Sequence, residues 1–233
     1  MPVIAMDTAH TQLATTDTRP ETLDAPLPAS DLLAGLPVRR GRQFGHHTPR
    51  EWTLSSLAGR LAEISNPGTT PSLTAAASLV LQAQQKGDPV TWVTVGHSIF
   101  FPPDFVDWGI DLEALPVLWV PNGMAAARAA DQLLRSGAFG LVVLDLKNHI
   151  HMRVAVQSRL AALAKKHHTL LLCLTRKKTG EPSLGSLVSL HGQGSIKKTS
   201  FNRFDWEVHM IKDKQGSPGW QHTEFCRGSD GLC

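Results

Sequence analysis

The sequence predicts an α/β domain: a mainly parallel β-sheet with helices on both faces and an antiparallel hairpin at the C-terminal end. Two observations carry this. Short apolar, β-branched runs alternate with helix-length segments from Leu54 onward, the signature of successive βαβ units. Two of those runs, Leu141–Leu146 and Thr169–Thr175, are apolar at every position that matters, as strands covered on both faces must be.

The elements follow in order. Leu57–Ile64 leads into a first strand ending at Ile64, and Ser65–Ser72 is turn-rich. Leu73–Lys86 is Ala-, Leu- and Gln-rich and stops at Gly87, which predicts a helix with a glycine C-cap. Val90–Val95 is β-branched and reads as a strand. Pro102–Gly109 reads as a short helix with an aromatic face, in which Phe105 and Trp108 pack on the sheet while Phe100 and Phe101 are open to exposure. Val117–Val120 is a short strand, Met124–Ser136 a helix closed by Gly137, and Met152–His168 a further helix. Lys178–Ser200, rich in Gly, Ser and Lys, reads as a long surface loop. Phe204–Lys212 and Trp220–Cys226 alternate apolar and polar residues around Gly216-Ser217-Pro218-Gly219, the pattern of a hairpin.

Residues 1–50 hold many Thr and Pro and few large apolar residues, and read as a disordered or loosely attached arm. Within it, Ser30–Leu36 suits one capped helical turn, and Arg39-Arg40-Gly41-Arg42 is a solvated linker or a docking arm. The core then covers 51–227, and 228–233 is a tail. A hydrophobic share of 42% is enough for a globular core, and the net charge of +3 is too mild to indicate a nucleic-acid binder by itself. Residues 1–175 balance 14 Lys/Arg against 14 Asp/Glu, whereas 176–214 hold 8 against 4. An electrostatic partner surface is therefore expected in the later stretch. Cys173, Cys226 and Cys233 are odd in number, which suits reduced thiols in a cytoplasmic protein. Neither a basic-then-apolar leader nor an apolar run near ~20 residues is present, so no membrane insertion is expected. His46-His47, His149/His151 and His167-His168 lack metal-ligand spacing and read as surface histidines. No metal is expected.

In a sheet of this kind chemistry sits at the carboxyl ends of the strands, here at Ser65–Ser72. A phosphate-binding loop needs G-x-x-x-x-G-K-[S/T], whose bare amides curl around phosphates, whose Lys neutralises charge and whose hydroxyl holds magnesium. Arg60-Leu-Ala-Glu-Ile-Ser-Asn-Pro-Gly-Thr-Thr-Pro-Ser-Leu-Thr74 resembles that region of the RecA recombinase family, in its placement and its leading R-x-x-E-I. Ala83–Gly87, Gly109–Leu115 and Leu133–Gly137 with Leu141–Asp145 resemble further RecA segments in the same order. The resemblance covers roughly residues 54–225 and implies a RecA-like fold.

Set against that pattern, Asn66 replaces the first loop glycine, Pro71 the second, Ser72 the Lys and Leu73 the magnesium-holding hydroxyl. Asp145 keeps the Walker B place. The family's catalytic Glu falls at about His97 and its nucleotide-sensing Gln at about Arg176. No cofactor and no catalysis are expected. The family's first DNA loop looks deleted after Asp145, while the second maps to Lys177–Ser200. Hence Arg176, Lys177, Lys178, Lys197, Lys198 and Arg203 read either as a solvated edge or as DNA contacts. A RecA-like chain of this length without a working phosphate loop resembles the ImuA family, non-catalytic accessories of error-prone translesion synthesis. The expected partners are then RecA, an ImuB-type Y-family polymerase homologue and an error-prone polymerase, with DNA contact left open. A division inhibitor of the SulA kind, acting on the tubulin-like division protein, is the alternative.

Overall fold

The computed structural model describes residues 51–68, 70–96, 100–148, 152–200 and 203–227. The arm 1–50, the tail 228–233 with Cys233, and His97, His149 and His151 lie outside the described residues, together with the readings made for them. A short helix, α1 (Leu54–Leu57), leads to β1 (Leu61–Ser65), and α2 (Thr70–Lys86) returns to β2 (Val90–Val95). Then come α3 (Pro102–Asp107), β3 (Val117–Val120), α4 (Gly123–Ser136), β4 (Leu141–Asn148), α5 (Val154–His167) and β5 (Leu170–Arg176). Three strands close the chain: β6 (Leu190–Ser200), β7 (Arg203–Asp213) and β8 (Gln221–Arg227). They form one eight-stranded sheet in the order β3-β2-β4-β5-β1-β6-β7-β8. Every pair from β3 to β6 is parallel, and β6–β7 and β7–β8 are antiparallel.

The central strands bury alternate residues on opposite faces. Val143, Leu172 and Ile64 meet Ala76, Leu79 and Val80 of α2 on one side. Val142, Leu144 and Leu171 meet Ala126, Ala130 and Leu134 of α4 and Leu160 and Ala164 of α5 on the other. Small alanines along one stripe of α2 and α4 let these helices sit close on the sheet, where dispersion contacts are most numerous. Asn122 caps α4 by accepting the Ala125 amide at 3.0 Å. Gly137 ends it at φ +68°, with the His167 ring so near that an added Cβ would lie 2.6 Å from Nδ1. Phe105 is buried and Phe100 half-buried against Trp92, whereas Phe101 is exposed.

Three expectations are corrected. The first strand is Leu61–Ser65 and so ends one residue past Ile64, and Leu54–Leu57 ahead of it close a helical turn capped by Thr53. Helix α2 starts at Thr70 rather than Leu73, since proline fits a first helical turn, where no amide is needed. Lys178–Ser200 is not one loop: its second half is β6, parallel to β1 and antiparallel to β7. The glycines that suggested a loop are there for close packing. A Cβ on Gly192 would lie 2.7–2.9 Å from Val208, Ile64 and Met210, and one on Gly194 would lie 3.0 Å from Pro71.

Candidate functional site

Strands β1, β4 and β5 end at a crevice, roofed by the turn from β1 into α2. Asn66 governs that turn. Its backbone amide donates to the Thr175 carbonyl at 3.1 Å. Its side-chain oxygen accepts the Gly68 amide at 2.6 Å, and its side-chain nitrogen donates to the Gly194 carbonyl. The turn is thereby stapled to β5 on one side and β6 on the other. Pro67 and Pro71 carry no amide hydrogen. Of the five described positions 66–68, 70 and 71, two therefore have no donor and two have donors already engaged.

Pro71 and Ser72 are buried in the first turn of α2, and Leu73 is half-buried. Ser72 Oγ is buried without a hydrogen-bond partner among the described residues. Asp145 is buried on β4 and accepts from Thr94 Oγ1 at 3.1 Å. Just beyond it the β4–β5 register shifts, and Lys147 adopts φ +54°, a left-handed conformation that costs a residue with a Cβ about 1 kcal/mol. Gly68, Ser72, Leu73, Asp145, Lys147 and Arg176 line the remaining cavity, whose volume is about 20 Å³. That is room for one ordered water.

Beneath the crevice lies a charged network that sequence reading missed. Glu63, fully buried on β1, accepts from Lys177 Nζ at 2.6 Å, Thr175 Oγ1 at 2.7 Å and the Leu184 amide at 2.6 Å. Lys177 also donates to the Pro182 carbonyl at 2.9 Å. His191 on β6 shares a 2.9 Å hydrogen bond with Ser65 Oγ. Burial chiefly lowers the His191 pKa, opposed by Glu63 and aided by Lys177 and Lys212, so its neutral ring is favoured. Cys173 is a free, fully buried thiol whose pKa burial pushes far up, so it is inert. An acidic residue inside the apolar strand Leu61-Ala62-Glu63-Ile64 was the signal for this network: a buried carboxylate needs partners.

The basic residues of 176–203 do not form one patch. Lys177 is only 6% exposed and committed to Glu63. Arg176 is half-buried at the crevice, its Nε without a partner among the described residues. Lys178 is exposed after β5. Lys197 pairs across β6–β7 with Asp205, and Lys198 with Phe204, so the two neighbours face opposite sides of the sheet. Arg203 stands over the Phe225 ring at 5.5 Å, and Lys198 near the Phe204 ring at 6.0 Å. No group of three or more metal-ligating side chains occurs among the described residues, and no helix among them is long and apolar enough to cross a membrane.

No protein-family model matches the chain. It is similar to the protein RecA of a Nocardioides species, 36% identical over 88 residues, which are 37% of this chain and 25% of that protein. Protein RecA of Bifidobacterium breve is 34% identical over 87 residues (37% and 22%), and that of Corynebacterium pseudotuberculosis 33% over 88 (37% and 23%). The chain thus spans about a quarter of the length of the curated relatives it matches. With the parallel sheet and its helix placement, this similarity fits a RecA-like fold.

Proposed function

We propose that this RecA-like chain is a non-catalytic accessory protein of the DNA-damage response, acting by contact rather than by nucleotide chemistry. One observation carries the reading: at four of the described turn positions, 66, 67, 68 and 71, the amide is missing or turned upon the protein itself. Two prolines, two engaged amides and a cavity of about 20 Å³ stand where phosphates would need a ring of bare amides. Ser72 supplies no cation and Leu73 no oxygen for magnesium. A charge-assisted Lys–phosphate contact alone contributes about 1.5–3 kcal/mol, and here the amide cradle is missing with it.

The RecA-like body and the lost loop together support a role of the ImuA kind. In it, the protein docks on an ImuB-type polymerase homologue, on an error-prone polymerase or on RecA, whose fold its own resembles. The test has two arms. Purified protein titrated with magnesium and ATP is expected to show neither a thermal shift nor turnover. Pull-down from DNA-damaged cells is expected to retain RecA or a translesion polymerase subunit. Magnesium-dependent hydrolysis abolished by Asp145→Ala would overturn the non-catalytic reading. Capture of the tubulin-like division protein instead would overturn the translesion assignment.

A further inference from the structure

Helices α4 and α5 lie side by side on one face of the sheet. Between Gly123 and His168 the chain carries seven Lys/Arg and two Asp/Glu, and one of those acids, Asp145, is buried. On the two helices themselves the single acid is Asp131. It is already clasped by Arg135 at 3.2 Å and by Arg159, whose Nη2 lies 3.0 Å away. Arg128, Arg135, Arg159 and Lys166 are all exposed.

Their spacing is regular. Arg128 and Arg135 are seven residues apart on α4, and Arg159 and Lys166 seven apart on α5. Seven residues are two turns, so each pair shares a helix face with charges roughly 10 Å apart, and adjacent helices sit about 8–10 Å apart. The result is a two-row grid of cations on a rigid scaffold, flanked by Arg153 and Lys165.

The chemistry between the cations selects the partner. Apart from Met124 and Val154 at the helix starts, every other exposed side chain of the two helices is small or polar: Gln132, Ser136, Ala155, Ser158 and Ala162. Protein interfaces need an apolar centre, and stacking on single strands needs aromatic rings. This face offers neither. We infer that the α4–α5 face binds the phosphate backbone of a nucleic-acid duplex without reading its sequence. The inference does not rest on the accessory role proposed above, and it uses a surface separate from the crevice and from the split cluster at 176–203.

The test is fluorescence anisotropy of a labelled random-sequence DNA duplex of about 25 base pairs, titrated with the full chain from about 50 to about 200 mM salt. Four neutralised phosphates predict an affinity loss of about 10²-fold over that range. Arg128→Gln/Lys166→Gln is expected to weaken binding at least tenfold at low salt and to reduce the log–log salt slope by about two. Its melting temperature should be unchanged, since both side chains are exposed. The swap Arg128→Lys/Lys166→Arg is expected to keep the slope, and Lys197→Gln/Lys198→Gln to bind as the parent does. Absence of binding at low salt would overturn the inference, as would an unaltered slope in the Gln pair. Displacement of the duplex by polyglutamate at equal charge would assign the face to an acidic protein instead.

Discussion

Replacing Asp213 by Ala tests how the C-terminal strands are held to the parallel core. Asp213 ends β7, and its Oδ1 accepts from Arg60 Nη2 at 2.5 Å across β6. The two side chains are 0% and 1% exposed. Asp213 also accepts from the Gln215 amide at 2.9 Å and Trp220 Nε1 at 3.1 Å. Arg60 would retain its bond to the Ser189 carbonyl at 2.9 Å but would lose the Asp213 carboxylate. Removing one partner of a buried ion pair costs about 3–5 kcal/mol. At about 2–4 °C per kcal/mol for a chain of this size, the melting temperature should fall by roughly 6–20 °C. Urea unfolding followed by tryptophan fluorescence reads this directly. Replacing both partners together, Arg60→Met/Asp213→Leu, should restore much of the loss, because no buried charge is then stranded. A single-variant cost under about 1 kcal/mol would refute the reasoning, since it would mean that solvent already reaches the pair.

The same pair and its neighbours yield predictions in pH and in function. Burial raises the Asp213 pKa, but Arg60, the Gln215 amide and Trp220 outweigh it and hold the carboxyl below its usual value. The stability it contributes is therefore present above about pH 4 and is lost as pH falls through the folded value; Asp213→Asn should show a flatter acid limb in urea titrations. Because the His191 pKa is lowered in the fold, the parent chain should lose stability as pH drops below about 6.5, the unfolded value. That slope should be absent in His191→Gln. Lys177→Met should cost about 3 kcal/mol or more by stranding Glu63, while duplex affinity at low salt stays that of the parent. A fall in affinity at intact stability would instead place Lys177 in contact with the nucleic acid.

Much of this was legible in the chain. Val90–Val95 and Val117–Val120 agree with the structure residue for residue, since β-branched runs bounded by Gly and Pro leave few alternatives. Strand β6 was not legible: Gly192 and Gly194 carry weak strand propensity, and only the tertiary approach of Ile64, Val208 and Pro71 shows why they are glycines. Asn66 was visible as a missing glycine, but two of its three bonds depend on Thr175 and Gly194, more than a hundred residues away. The basic face of α4–α5 was hidden by averaging. Residues 88–122 hold five Asp/Glu and no Lys or Arg, and they cancel the excess that follows when the two segments are counted together. Folding separates what the count had merged, because consecutive βαβ crossovers place α3 and α4 on opposite sides of the sheet.

Strand β6 has one further consequence. By running with β1 and against β7, it lets the sheet grow past the last crossover helix and leaves two terminal strands of different character, β3 and β8. Seven inter-strand steps of about 4.8 Å put these borders roughly 34 Å apart. A strand added at one border would therefore lie far from a strand added at the other, and the sheet presents two separate edges rather than one.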